Sequence, residues 1–415
     1  MTTTTQPLHT ALTAAVDGRV TTGAAPGASF QTGIEHRPEV TVAATGPADV
    51  AAVLAVADRH RAPVTVHATG HGLRSPAPGG VLLDTSAMSR VRVDPATATA
   101  RIDAGATWAD VLAVAAPHGL RPPNGSAPSV GVVGYLFGGG LGLTVRSDGW
   151  AADHVRSVQV VDAGGLRELT DGADFARLRG TGPVPGEVVT AVTLGLLPAG
   201  PLTGGGLQKV LGPADEPGDP AALRAWVRWT EGLPDSVSSG VAVVPYPDLP
   251  FLPPHLRGRR VLRVAVAATT DPAATDRVLA PLRAALAWDE DTVAPLEPVD
   301  SARVYAEPET PHAYLGDGLL VDGLAAAGLE HVATRTGPMV VTGIRHLGGA
   351  AERSPRVPDT VPGRDAAYVV GALAPFGPDV LAAGDAHREV ARTLDGFTAR
   401  STGPMPAFRF GPHPV

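Results

Sequence analysis

The apolar residues of the first half of the chain fall into short blocks of readable period. Val40 to Ala44 predicts a strand, and Val50 to His60 repeats apolar positions at helical spacing behind Gly46-Pro-Ala-Asp49. Asp49 falls in the first turn, where a carboxylate meets the positive end of the helix. Val64-Thr-Val-His-Ala68 predicts a second strand that runs straight into a glycine-flanked loop, Thr69-Gly-His-Gly-Leu-Arg74. Val81 to Asp84, Val91 to Asp94 and Ala100 to Asp103 alternate with period two, with a turn at Asp94-Pro95. Trp108 to His118 returns to helical spacing, and Val155 to Asp162, Arg167 to Thr170 and Val188 to Leu197 read as strands. Residues 1–37, broken at Gly27 and Gly33, read as a short leading helix and a connector. This irregular succession predicts an α+β domain rather than a doubly wound one.

Pro198 to Gly206 reads as a linker, which places a boundary near residue 200 and divides the chain into 1–200 and 201–415. Beyond it, Ala221 to Thr230, Ala273 to Ala287 and Asp379 to Leu394 predict helices, and Val261 to Ala267, Met339 to Leu347 and Ala366 to Ala374 predict strands. The mixture predicts an antiparallel sheet backed by helices, with no short-period repeat.

Between Asn124 and Gly142 the pattern breaks down under seven glycines, too many for a regular element unless the backbone must approach something closely. Composition narrows what that something is. With 415 residues and 44% hydrophobic content the chain is long enough for two cored domains, and no run of eighteen apolar residues suggests a membrane span. A net charge of −8 without a basic cluster argues against nucleic-acid binding and leaves small molecules as the expected partners. Zero cysteines exclude disulfides, thiolate nucleophiles and iron–sulfur clusters, and a single lysine, Lys209, leaves little room for Schiff-base chemistry. Met1 to Gln6 lacks the charged-then-apolar signature of a secretory leader, so the expected location is cytoplasmic.

Phosphate-binding, zinc-protease and nucleophile-elbow signatures are missing, and no histidine pair stands at metal-ligand spacing with a carboxylate, so no metal is expected. Thr69-Gly-His-Gly72 and Gly125 to Gly142 remain. Two glycine turns at strand ends present backbone N–H groups to a diphosphate without Lys or metal. They read equally well as tight turns of a glycine-rich chain.

The ordered set Arg37-Pro38, Asp49-Val50, Pro63 to Gly72, Gly79 to Asp84, Val93-Asp94, Ala104-Gly105, Asn124 to Gly142, Asp153-His-Val155 and Val188 to Ala191 resembles the FAD-linked oxidases of the vanillyl-alcohol oxidase and p-cresol methylhydroxylase (PCMH-type) fold, within them the bacterial berberine bridge enzyme-like subgroup. The resemblance is strong over 36–198 and continues weakly through Ile344 to Ala350. It implies a two-domain α+β architecture, a PCMH-type FAD-binding domain and an antiparallel-sheet substrate domain. It also implies FAD bound covalently through His71, whose position matches the histidine that attaches to the flavin 8α-methyl group. The cysteine of a second link is replaced in Ala127-Pro-Ser-Val-Gly131, which leaves a single bond. Ala68, Thr69, Gly70, His71 and Gly72 are implied to line the diphosphate, and Ser129, Val130, Gly131, Gly134, Gly138, Gly139, Gly140, Asp153 and Val189 the flavin ring or adenosine.

Three departures stand beside this resemblance. The usual Gly-Gly-Asn-Phe-Gly is rebuilt as Gly180 to Glu187; Arg345 stands where some relatives carry an acidic base; and the late Tyr-x-Asn strand reads Ala407-Phe-Arg-Phe410, with the usual Tyr-Asp-Pro segment missing. Substrate-domain candidates are Tyr305, Glu307, Tyr314, His346 and Tyr368, and strand alternation sets Arg345 and His346 on opposite faces. Arg345, His346 and Tyr305 are taken as the catalytic set, with Arg345 stabilising charge because a guanidinium is a poor base. The implied activity is oxidation of a small alcohol or natural-product intermediate by hydride transfer to flavin N5, with dioxygen as acceptor. The alternative is a redox-neutral cyclisation or rearrangement with a structural FAD.

Overall fold

The computed structural model describes residues 7–23, 29–250, 252–378 and 380–413. The expectations placed on Met1 to Gln6, Gly27 and Asp379 lie outside these residues. The fold is α+β, with a four-stranded, a five-stranded and a two-stranded sheet (Leu120–Arg121 with Leu197–Pro198) in the first half and one large antiparallel sheet in the second.

The first sheet orders its strands Arg19–Thr22, Val40–Ala43, Val81–Asp84, Val64–His67. The last three run parallel, because the helix Pro47–His60 carries the chain back across one face between Val40–Ala43 and Val64–His67. That helix buries Val50, Val53, Val56 and Ala57 against Val40, Val42, Val81 and Leu83. Asp49 secures its start, accepting the N–H groups of Thr45 and Asp17 at 2.8 Å each and the Thr45 hydroxyl at 2.7 Å. The parallel register pairs His67 with Asp84 and leaves the chain after His67 at the carboxyl end of the sheet, where the first glycine loop begins.

The second sheet is antiparallel, in the order Val91–Asp94, Thr99–Asp103, Val188–Gly195, Val155–Asp162, Gly165–Leu169. Its core closes under the helix Trp108–Ala115, whose Thr107 and Asp110 side chains cap each other's backbone N–H groups. The helical spacing read through His118 changes to a 3₁₀ turn at Ala116–His118. Within the glycine segment Val132–Leu136, with Gly134 as its one glycine, forms a short helix.

The large sheet runs Glu290–Asp291, Thr203–Pro213, Arg259–Ala268, Val237–Pro245, Val341–His346, Tyr368–Pro375, Tyr314–Val321, Ser401–Pro404. Helices Ala221–Thr230, Pro272–Ala285, Ala326–Thr334 and Ala383–Asp395 supply Trp226, Trp229, Leu279, Leu282, Leu329 and Val390 to its core. The stretch read as a linker is corrected here: Thr203 to Gly206 opens an eleven-residue strand. Its glycines are needed, since a Cβ on Gly205 would stand 2.4 Å from the Thr292 carbonyl oxygen and Gly205 holds φ +147°. Arg19–Thr22, Val237–Pro245 and Tyr314–Val321 are strands that the periodicity did not reveal.

Two smaller apolar clusters join the halves: Leu141, Val145 and Trp150 with Leu320, Leu347, Val369 and Met405, and Leu143 with Ala265, Ala267, Leu296 and Val304. Arginines reinforce this seam. Arg146, with 6% of its side chain exposed, donates to the carbonyls of Val237 at 3.0 Å, Leu233 at 2.9 Å and Leu347. Arg179 donates to the carbonyls of Ala152, Val357 and Pro358, and Arg364 returns the contact to Asp153 at 2.5 Å.

Candidate functional site

The two glycine loops meet. Gly131 donates its N–H to Thr69 Oγ1 at 3.3 Å, and Thr69 Oγ1 lies 3.0 Å from His71 Nδ1. The other ring nitrogen, Nε2, lies 3.1 Å from Ser129 Oγ, so the imidazole is held between hydroxyls of both loops. Phe30 stacks on the ring with centroids 4.0 Å apart and planes 11° apart, and Tyr314 donates its hydroxyl to the His71 carbonyl at 2.7 Å. Burial, with His312 adding like charge, pushes the imidazole down to about 4, so it is neutral at neutral pH. Gly70 takes φ +73°, and a Cβ there would meet Ser29 and His67, which is why the turn carries glycine.

These loops suit an anionic ligand. The backbone N–H groups of Gly70, His71 and Gly72 donate to no acceptor on a described residue, and those of Val133 and Gly134, in the first turn of the helix Val132–Leu136, have no acceptor within that helix. Beside them, Gly72 and Gly134 face open space, with no atom within 4 Å of where a Cβ would stand. Unpaired donors next to open volume are what a diphosphate requires. The residues present therefore fit FAD at its diphosphate, with His71 beside it.

The other expected cofactor residues divide. Ala68 and Val130 flank the converging turns, and Val130 accepts the N–H of Trp108 at 3.1 Å. Gly138, Gly139 and Gly140 make room for protein: their missing Cβ atoms would stand 2.6 Å from Ala407, 2.7 Å from Val361 and 2.6 Å from Tyr135. Val189 is in the core of the five-stranded sheet, paired with Val160. Asp153 bonds the Trp150 N–H and Arg364, so it serves the seam.

A second cluster assembles at the same loop. Ser126, three residues before Ser129, donates to Glu307 Oε2 at 2.8 Å, and Arg345 donates from Nη2 to Glu307 Oε1 at 3.1 Å. The Arg345 guanidinium lies 4.0 Å from the Tyr305 ring centroid and 5.4 Å from that of Phe408. Burial works against its charge, but Tyr305, Glu307 and Tyr135 hold it protonated. Burial raises the phenols of Tyr135 and Tyr305 above their ordinary value, and the Tyr135 hydroxyl is buried without a hydrogen-bond partner. The cluster thus holds one fixed cation, one carboxylate, and two phenols that stay protonated.

Of the expected catalytic set, Arg345 and Tyr305 come together here and His346 does not. His346 points to the other face of its strand, stacked on Tyr368 at 5.1 Å and 3.4 Å from Arg146, where burial and that cation push it down to about 3. Tyr368 is a core residue that meets Thr230. Tyr135, Ser126 and Phe30 were not singled out from the sequence, and Phe408 entered only within Ala407 to Phe410; a tyrosine amid glycines was the available signal for Tyr135. Among the described residues no group of three metal-ligating side chains exists, and no helix is long and apolar enough to cross a membrane.

Comparison with known proteins agrees with this geometry. Residues 38–170 match the FAD binding domain family. The chain is 33% identical over 176 residues to the FAD-dependent monooxygenase tpcD of Cochliobolus heterostrophus, covering 41% of this chain and 34% of that protein. It is 34% identical over 178 residues to the berberine bridge enzyme-like Cyn d 4 of Cynodon dactylon, covering 40% and 34%. The matched part spans about a third of these relatives' length. The whole fold superimposes on Physcomitrella patens BBE-like 1 with a TM-score of 0.79 at 18% identity, covering 97% of this chain and 91% of that one.

Proposed function

We propose that this chain, which carries an FAD binding domain and the fold of the berberine bridge enzyme-like flavoproteins, is an FAD-dependent oxidoreductase of the oxidase type. Its substrate is a small alcohol or natural-product intermediate, dioxygen is the acceptor, and FAD is held by a single bond to His71. The observation that carries this reading is the meeting of two glycine loops around His71, with unpaired N–H groups and open space beside the ring. FAD, when bound, supplies an acceptor for hydride that dioxygen can reoxidise. Gly70, Gly72, Val133 and Gly134 hold the diphosphate through their backbones. Glu307 takes the substrate proton, Arg345 holds Glu307 in place and favours negative charge on substrate oxygen, and Tyr135 and Tyr305 offer neutral hydroxyls.

The test is an absorbance spectrum of the purified protein, followed by anaerobic titration with alcohols. A yellow protein that bleaches under substrate and recovers in air supports the reading, and a colourless protein ends it. A redox-neutral rearrangement is the second reading, favoured by the ion pair that already neutralises Glu307. It requires product formation without bleaching.

A further inference from the structure

We infer that Gly343 is a specificity-determining residue: it leaves a ring-sized recess beside Arg345, so that the substrate presents a flat ring rather than a short acyclic chain. The inference rests on the oxidoreductase reading above and deepens it, because it names the shape of the group that the site receives.

Gly343 lies inside the strand Val341–His346, two residues before Arg345 and on the same face. It is paired on both edges, with Ala242 and with Gly371, and so belongs to a regular ladder. A glycine at such a position weakens the strand and needs a reason. The other glycines of the large sheet either would bring a Cβ within 3.0 Å of a neighbouring atom or hold a positive φ. Gly343 does neither. Its φ lies outside the left-handed region, and no atom stands within 4 Å of where its Cβ would be.

The groups around this open volume define its size. Gly240, the cross-strand partner of Arg345, makes room for Tyr305: a Cβ there would stand 2.7 Å from the phenol oxygen. On the opposite side Phe408 covers Gly371, where a Cβ would stand 2.9 Å from the ring, and its centroid lies 5.4 Å from the Arg345 guanidinium. The patch left uncovered, at Gly343 and Ala242, spans two neighbouring strands and one step along the same face. That is about 4.8 Å across and about 6.6 Å along. One six-membered ring lying flat on the backbone has this footprint, with Phe408 beside it for aromatic contact. The Tyr135 hydroxyl of the same cluster is buried without a hydrogen-bond partner, and an oxygen on the ring's substituent supplies an acceptor for it next to the guanidinium.

The test is binding to purified holoprotein, followed by ligand-observed NMR titration with benzyl alcohol, cyclohexanol and 1-propanol as probes. The wild type should bind both ring alcohols at least about tenfold more tightly than 1-propanol. Gly343→Ala, Gly343→Val and Gly343→Leu should lower ring affinity in steps, reaching a loss of about tenfold or more at valine. Bound FAD should stay at the wild-type level and the urea midpoint at or above it, because the ladder accepts a side chain here without strain. Should the leucine variant fail to fold, the alanine and valine variants carry the same comparison. Unchanged ring affinity in Gly343→Val, or a yellow wild type that binds neither ring alcohol better than 1-propanol, overturns the inference and leaves the oxidoreductase reading intact. A colourless wild type ends that reading and the inference with it.

Discussion

Replacing Arg345 by glutamate separates its role as a cation from any role as a base. In the wild type its Nη2 lies 3.1 Å from Glu307 Oε1, with 17% of the arginine side chain and 39% of the glutamate side chain exposed. The new carboxylate would face Glu307 across roughly 4 Å, a repulsion of about 4 kcal/mol at an effective dielectric of 20. Solvent at the exposed Glu307 reduces this to about 2 kcal/mol. Loss of the stacking on Tyr305 adds about 1 kcal/mol. Arg345→Glu should therefore shift the first urea transition by about 3 kcal/mol, and combining it with Glu307→Gln should recover about 2 kcal/mol. Turnover of Arg345→Glu should fall by about a hundredfold, while Arg345→Lys keeps part of the rate. A glutamate variant as stable and as active as wild type would refute the charge argument.

Three further outcomes follow from the packing. Gly139→Val places a branched side chain at φ +85° and a Cβ 2.7 Å from Val361; it should cost about 2–5 kcal/mol, and an unchanged thermal midpoint would show that the loop yields. Arg146→Met leaves the carbonyls of Leu233, Val237 and Leu347 without their donor and should lower stability by about 3–5 kcal/mol in chemical denaturation, with a loss near zero meaning that water replaces the guanidinium. His71 and His346 are held at about 4 and about 3, against 6.5 in the unfolded chain, so between these values the unfolded chain binds more protons and stability falls as pH drops below 6.5. In flavin-free protein the His71 contribution is at most about 3 kcal/mol, lessened by its partial exposure, and His71→Asn should flatten the pH profile of urea midpoints over that range.

Val155–Asp162 and Val188–Gly195 were legible because each is a run rich in valine, and the second is buried along almost its whole length. Thr203–Pro213 and Tyr314–Val321 were not. Gly204 to Gly206 and Gly316 with Gly318 interrupt the pattern where neighbouring groups, Thr292 in one strand and Phe408 and Phe410 in the other, fill the space of the missing side chains. The site shows the same division. His71 announced itself because its loop is contiguous and follows a strand, whereas the Glu307–Arg345–Tyr305 cluster exists only once Val341–His346 is brought beside the loop before Tyr314. Strand alternation separated Arg345 from His346 correctly, but only packing shows that His346 faces Tyr368 and Arg146. Nothing local marks Arg146, Arg179 or Asp153 as groups that join the two halves.

Those crossing arginines have a kinetic consequence. A hinge needs a connection whose few contacts can be given up cheaply, yet each opening here would strip Arg146 and Arg179 of buried carbonyl partners and break the Arg364 pair with Asp153. The halves are thereby denied the microsecond-to-millisecond clamshell closure by which many two-domain enzymes admit and release their ligands. Passage to the glycine loops is left to side-chain rotation and loop displacement, which run in nanoseconds to microseconds. With the halves held as one frame by these contacts, ligand exchange at the glycine loops is expected to follow side-chain and loop motion.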